Sequence, residues 1–138
     1  MSQKSFAAAA LAFALTMFSA SGPAGAHHSF AAEFDINQPI ELHGEVIEML
    51  FTNPHSRILL KVTTDKGEEQ EWRIEGGAPN ALIRRGWNRD SLPPGTMVTV
   101  LGYRARDGSL SASGGSVTLP DGSSLNASSV GIGAPSAQ

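Results

Sequence analysis

Three histidines carry the most reactive chemistry in this chain: His27 and His28, adjacent to one another, and His55, which follows Thr52-Asn53-Pro54. Paired imidazoles inside a chain are ordinary surface chemistry. At a free N-terminus they form a metal chelate, and the residues ahead of them point to processing at that bond. Residues 1–5 include Lys4, residues 6–18 are an apolar run, and residues 19–26 are small and end in Ala24-Gly25-Ala26. That is the layout of a cleavable signal peptide, and the apolar run falls short of the roughly 20 residues that cross a bilayer. We therefore read residues 1–26 as a signal peptide cleaved after Ala26. The mature chain is expected to start at His27, to reach the periplasm or be secreted, and to have no membrane span.

A terminal His27 offers its α-amine and its ring Nδ1 to one ion, and His28 or His55 can complete a nitrogen-rich set. Cu(II) favours tetragonal nitrogen coordination and leads the divalent affinity order. The amine titrates near ~7.7–8.0 and imidazole near ~6.5, so protons compete weakly at neutral pH. On this reading His27, His28 and His55 hold Cu(II). On the plainer one, His27 and His28 are surface residues of an arm and His55 hydrogen-bonds within its turn. His43, beside Gly44, reads as a strand-face residue.

A second constellation is Arg84, Arg85, Trp87 and Arg89 around Gly86. Arginine offers planar bidentate hydrogen bonding and tryptophan a stacking face, the chemistry of an anion or a protein-partner site. The stronger reading is that Arg at a helix end complements the helix dipole and Trp87 caps the core.

Composition removes several other classes. The 138 residues contain no Cys, which excludes disulfides, thiolate nucleophiles and Cys-ligated metals. A formal net charge of −3 lacks the basic surplus that nucleic-acid binding uses. No nucleophile elbow or phosphate-binding glycine loop is present, and Glu33, Asp35, Glu41, Glu45 and Glu48 show no spacing that names an acid/base couple. Catalysis is not favoured.

The elements that position these residues follow from pattern and turn chemistry. Residues 27–38 form an N-terminal arm, with Phe30 and Phe34 spaced to dock on the domain. Residues 39–51 alternate as a long first strand with a bend or bulge at Gly44. Asn53-Pro54 marks a turn. Residues 56–64 and 69–75 form a hairpin around Gly67. Pro79 starts a short helix over about residues 79–85, and Gly86 ends it. Residues 96–104 and 109–119 are the fourth and fifth strands, and 123–127 allow a last short pairing. The polar, small-residue stretch 128–138 reads as a disordered tail. Three strands, a helix and two strands give a mainly β fold over residues 39–127, a small five-stranded OB-like Greek-key barrel with one short helix between strands three and four.

The motifs His27-His28-Ser29-Phe30 with Glu33-Phe34-Asp35, Thr52-Asn53-Pro54-His55, Gly77-Ala78-Pro79-Asn80-Ala81-Leu82, Arg84-Arg85-Gly86-Trp87 and Val117-Thr118-Leu119-Pro120-Asp121-Gly122 together resemble a family of small exported bacterial proteins classed as a domain of unknown function. The resemblance covers residues 26–127. It implies a periplasmic, mostly β protein with histidines at both sites, and it supplies no activity. Ser56 departs from the family pattern, where an aromatic or aliphatic residue is expected.

The function expected is a periplasmic Cu(II) carrier or sequestering module using His27, His28 and His55. The alternative is a metal-free accessory module binding a periplasmic protein through Arg84, Arg85, Trp87 and Arg89. A weaker third is a small-molecule carrier with an apolar pocket in the barrel mouth.

Overall fold

Seventeen consecutive residues, Phe34–Leu50, form the first strand, β1, and its length organises everything else. In the computed structural model, which describes residues 30–129 and residue 135, the remaining strands are β2 (Arg57–Thr63), β3 (Glu69–Glu75), β4 (Met97–Ala105), β5 (Ser111–Thr118) and β6 (Ser124–Asn126). A short helix, α1 (Pro79–Ile83), lies between β3 and β4. The protein is mainly β, with six strands in one sheet in the order β3-β2-β1-β4-β5-β6.

β1 serves two neighbours in turn. Its residues Phe34 to Glu45 pair antiparallel with β4, and Glu45 to Leu50 pair antiparallel with β2. Glu45 and Val46 sit at the handover, where Val46 N–H donates to Thr96 O at 2.9 Å and Val46 O accepts from Gly95 N–H at 2.8 Å. β3 also pairs in parallel with β5 through Arg73, Ile74 and Glu75. Hydrogen bonding therefore runs from β1 through β2, β3, β5 and β4 and back to β1.

Period-two alternation sends Leu42 and Val46 of β1, Ile58 and Leu60 of β2, Trp72 and Ile74 of β3, and Val98 and Val100 of β4 into one core with Leu82, Trp87 and Leu92. Close strand approach is bought with glycine at position 102, where a Cβ would lie 2.1 Å from Ser113 O.

Four points differ from the sequence reading. β1 starts at Phe34 instead of residue 39, so the end of the expected arm is strand, because β4 is long enough to pair Phe34 with Ala105. The register shift falls between Val46 and Glu48 instead of at Gly44; Ile47 is the extra residue and is turned outward. The helix stops at Ile83, leaving Arg84 and Arg85 in the turn beyond it. Ser128, placed in the disordered tail, is buried, whereas residues 130–134 and 136–138 lie outside the described residues.

Candidate functional site

The loop from β1 to β2 is held from within and from across the fold. Thr52 Oγ1 donates to His55 O at 3.2 Å. Ser56 N–H donates to Gly77 O at 3.1 Å, and Gly76 N–H donates back to Ser56 O at 2.8 Å. That reciprocal pair joins the loop to the segment leaving β3. Glycine suits both positions, since Cβ atoms on Gly76 and Gly77 would make tight contacts, 3.2 Å from Ala127 O and 3.0 Å from Ser128 O.

One consequence is that Glu75, the last residue of β3, stands beside His55. A short hydrogen bond joins His55 Nδ1 to Glu75 Oε1. The imidazole is 42% exposed and the carboxylate 20%. An ionised carboxylate only accepts, so the shared proton sits on Nδ1, and in the neutral ring Nε2 carries the lone pair. Nε2 has no hydrogen-bond partner among the described residues.

The leading segment docks on the loop after β4. Residues 30–33 make a helical turn. Phe30 and Phe34 are buried with Ala105 against Tyr103, with ring centroids 5.4 Å apart between the phenylalanines and 6.2 Å from Phe30 to Tyr103. Arg106 Nε donates to Ala31 O at 2.8 Å and to Phe34 O at 3.2 Å, and its guanidinium lies 3.6 Å from Asp35. The Asn37 backbone N–H holds the Asp35 carboxyl below the usual carboxylate range; partial desolvation opposes this, and the Gln38 side chain and the Arg106 charge reinforce it.

Between this segment and the ends of β2, β3 and β5 is an open cleft of about 460 Å³. Its walls include Glu33 and Phe34 from the leading segment, Arg57 and Glu75 from β2 and β3, and Asp107 and Ser109 from the β4–β5 loop. The leading segment and the carboxylate bonded to His55 thus share one cavity.

His27 and His28 lie outside the described residues. Among the described residues, no three His, Cys, Asp or Glu side chains gather to hold a metal ion. His43 faces outward on β1, with Nδ1 3.1 Å from Thr99 Oγ1.

The arginine and tryptophan constellation divides. Trp87 is 2% exposed, a core residue whose Nε1–H donates to Asn126 O at 2.8 Å. Arg85 is committed to Ser128 O at 2.6 Å. Arg89 lies over the Phe51 ring with Cζ 5.9 Å from its centroid. Arg84 is exposed beside Ile83, itself 56% exposed. An indole face for a partner is therefore missing from the surface, because the core beneath α1 uses it.

Sequence reasoning passed over Glu75, Arg57 and Arg73. A signal existed for part of this: the hairpin around Gly67 sets Arg57 opposite Glu75 by counting outward from the turn. Nothing local joins either residue to His55.

Ser56 follows up its departure from the family pattern. It is 1% exposed, and its Oγ has no hydrogen-bond partner among the described residues. An apolar side chain fits such a position better, since an unsatisfied buried hydroxyl costs about 1–3 kcal/mol. Ser56→Ala is expected to stabilise the fold by up to about 1 kcal/mol after its lost contacts are counted. A thermal melt reads this as a midpoint a few degrees higher; a lower midpoint would mean that the hydroxyl is satisfied.

Among the described residues no helix is long and apolar enough to cross a membrane. No curated protein and no solved structure matches the chain. A family model does, over residues 14–114, which takes in His27, His28, His55, the glycine pair at 76 and 77, and Trp87. The chain belongs to a family of unknown function, DUF6152.

Proposed function

We propose that the mature chain begins at His27 and binds Cu(II) through its terminal amine and ring together with His28 and His55, as a periplasmic carrier or sequestering module. The observation that carries this is the His55–Glu75 hydrogen bond. Histidines that ligate metals almost always donate their other ring N–H to a carboxylate, carbonyl or water, which fixes the tautomer and raises ligand basicity. His55 is arranged in that way, with Nε2 turned loose in an exposed ring.

Reach supports the same reading. Phe30 is anchored in the small aromatic cluster, and His28 is two residues ahead of it, so an extended chain carries its Cα at most about 7 Å away. The segment that follows lines the cleft that Glu75 also lines.

For the architecture we propose an OB-like Greek-key barrel. The cyclic pairing β1-β2-β3-β5-β4-β1, with α1 between β3 and β4, supports it. In that fold the β1–β2 and β4–β5 loops flank the binding face. Here those loops carry His55 and Asp107 with Ser109. Export through the leader supplies the free amine that the site requires.

The alternative, a metal-free partner module at Arg84, Arg85, Trp87 and Arg89, is left with Arg84 and the exposed Ile83 as its free surface.

Protein recovered from the periplasm is the material for the test. Its intact mass is expected to match a chain starting at His27, and the Cu(II) form is expected to give an electron paramagnetic resonance spectrum of nitrogen-rich tetragonal coordination. A different start, or the spectrum of hydrated copper in the presence of the protein, would overturn the proposal.

A further inference from the structure

The cleft beside the Glu75 carboxylate contains two arginines that no part of the described chain satisfies. Arg57 and Arg73 both line it, and neither guanidinium has a hydrogen bond or ion pair among the described residues. Their placement follows from register. Arg57 stands opposite Glu75 across β2 and β3, so Arg73 occupies the diagonal position on the same outward face. Ser111 stands opposite Arg73 across the parallel β3–β5 pairing and also lines the cleft.

The other charges around the cavity are largely committed. Glu75, the cross-strand partner of Arg57, is turned to His55. Arg106 is spent on the carbonyls of Ala31 and Phe34 and on Asp35. Asp107 is folded into its own turn, where Oδ1 accepts from Ser109 N–H at 2.9 Å and hydrogen bonds from Ser109 hold the carboxyl below the usual range. Glu33 remains as a single free carboxylate at the rim. Arg57 and Arg73 stand side by side on one sheet face, with Glu75 and Glu33 as neighbouring carboxylates but with no ion pair or hydrogen bond to either guanidinium among the described residues.

We propose that this cleft binds a small anion bearing a carboxylate or phosphate group, clamped between Arg57 and Arg73 and receiving a further hydrogen bond from the Ser111 hydroxyl. Guanidinium groups recognise planar and tetrahedral oxyanions through paired N–H donors, stronger than neutral hydrogen bonds. A cavity of about 460 Å³ is in the size range of small-molecule sites. The proposal does not rest on the copper reading, since neither arginine is a metal ligand.

The test uses ¹⁵N-labelled mature protein with a chelator present, titrated at constant ionic strength with inorganic phosphate and, separately, with citrate. Saturable amide shifts centred on Arg57, Arg73 and Ser111 are expected from at least one probe, and the stronger of the two tells phosphate from carboxylate ligands. Arg57→Gln or Arg73→Gln is expected to weaken binding about tenfold, as loss of one charge-assisted contact does. The double variant is expected to abolish it, with Arg84→Gln as an unchanged control. Both arginines are exposed, so the variants keep the fold, which unchanged melting verifies. Shifts that fail to saturate, that scatter over the surface, or that persist in the double variant would overturn the proposal.

Discussion

Acetylating the α-amine of His27 is expected to weaken Cu(II) binding by the mature chain by more than the roughly 10–100-fold that losing an outer-shell partner costs. The reason is local. Acetylation turns the amine of His27 into an amide, which binds a metal only after losing a far less acidic proton, and it breaks the chelate ring between that nitrogen and Nδ1. His55→Ala removes a proposed ligand and Glu75→Ala removes the group that orients it. Glu75→Ala is expected to cost about 10–100-fold and His55→Ala at least as much. Competition titration against a chelator of known affinity measures all three on one scale. If acetylation is harmful while His55→Ala and Glu75→Ala bind as the parent does, the loop histidine is no ligand and the metal is held by the terminus alone. If acetylation is harmless as well, the copper proposal fails outright.

Trp87→Ala is expected to destabilise the fold by about 3–5 kcal/mol, the range for deleting a large buried aromatic. Trp87 is 2% exposed, packs with Leu82 and Leu92 in the main core and donates to Asn126 O at 2.8 Å. The alanine variant loses the packing, leaves a cavity and strands that carbonyl. Trp87→Phe separates the two contributions: it keeps most of the apolar contact and forfeits the hydrogen bond, for about 1–3 kcal/mol. Domains of this size are stable by only about 5–15 kcal/mol, so urea denaturation should show the alanine variant close to unfolding. A tryptophan serving a partner would behave in the opposite way, leaving stability intact while abolishing an interaction. Unchanged unfolding of Trp87→Ala would return this residue to the partner surface.

How far the fold can be read locally depends on where its causes lie. The hairpin between β2 and β3 was legible because Asp65-Lys66-Gly67 is turn chemistry, with Gly67 at φ +79, and the flanking alternation is uninterrupted. The helix start at Pro79 and the positive φ of Gly86 were legible for the same kind of reason. The beginning of β1 was not. Asp35, Asn37 and Gln38 carry the polarity of a loop, and they are carried into the strand by the pairs on either side of them, Phe34 with Ala105 and Pro39 with Tyr103, with a register shift between. Nor was the bulge at Ile47, since the alternation around it is compatible with either phase until β2 selects one.

The candidate site divides along the same line. His27, His28 and His55, the leader that would expose the first of them, and the odd serine at position 56 are all visible as residue types at given spacings. Turn preferences and alternation act over a few residues, so they determined the mainly β character, the succession of strands and the place of the helix. The tertiary structure alone decided that Glu75 meets His55, that Arg57 and Arg73 share a cleft with the leading segment, and that Trp87 goes inward. Each of these juxtapositions joins elements distant in the chain through backbone pairing and close glycine contacts, and side-chain chemistry read one residue at a time has no term for such contacts.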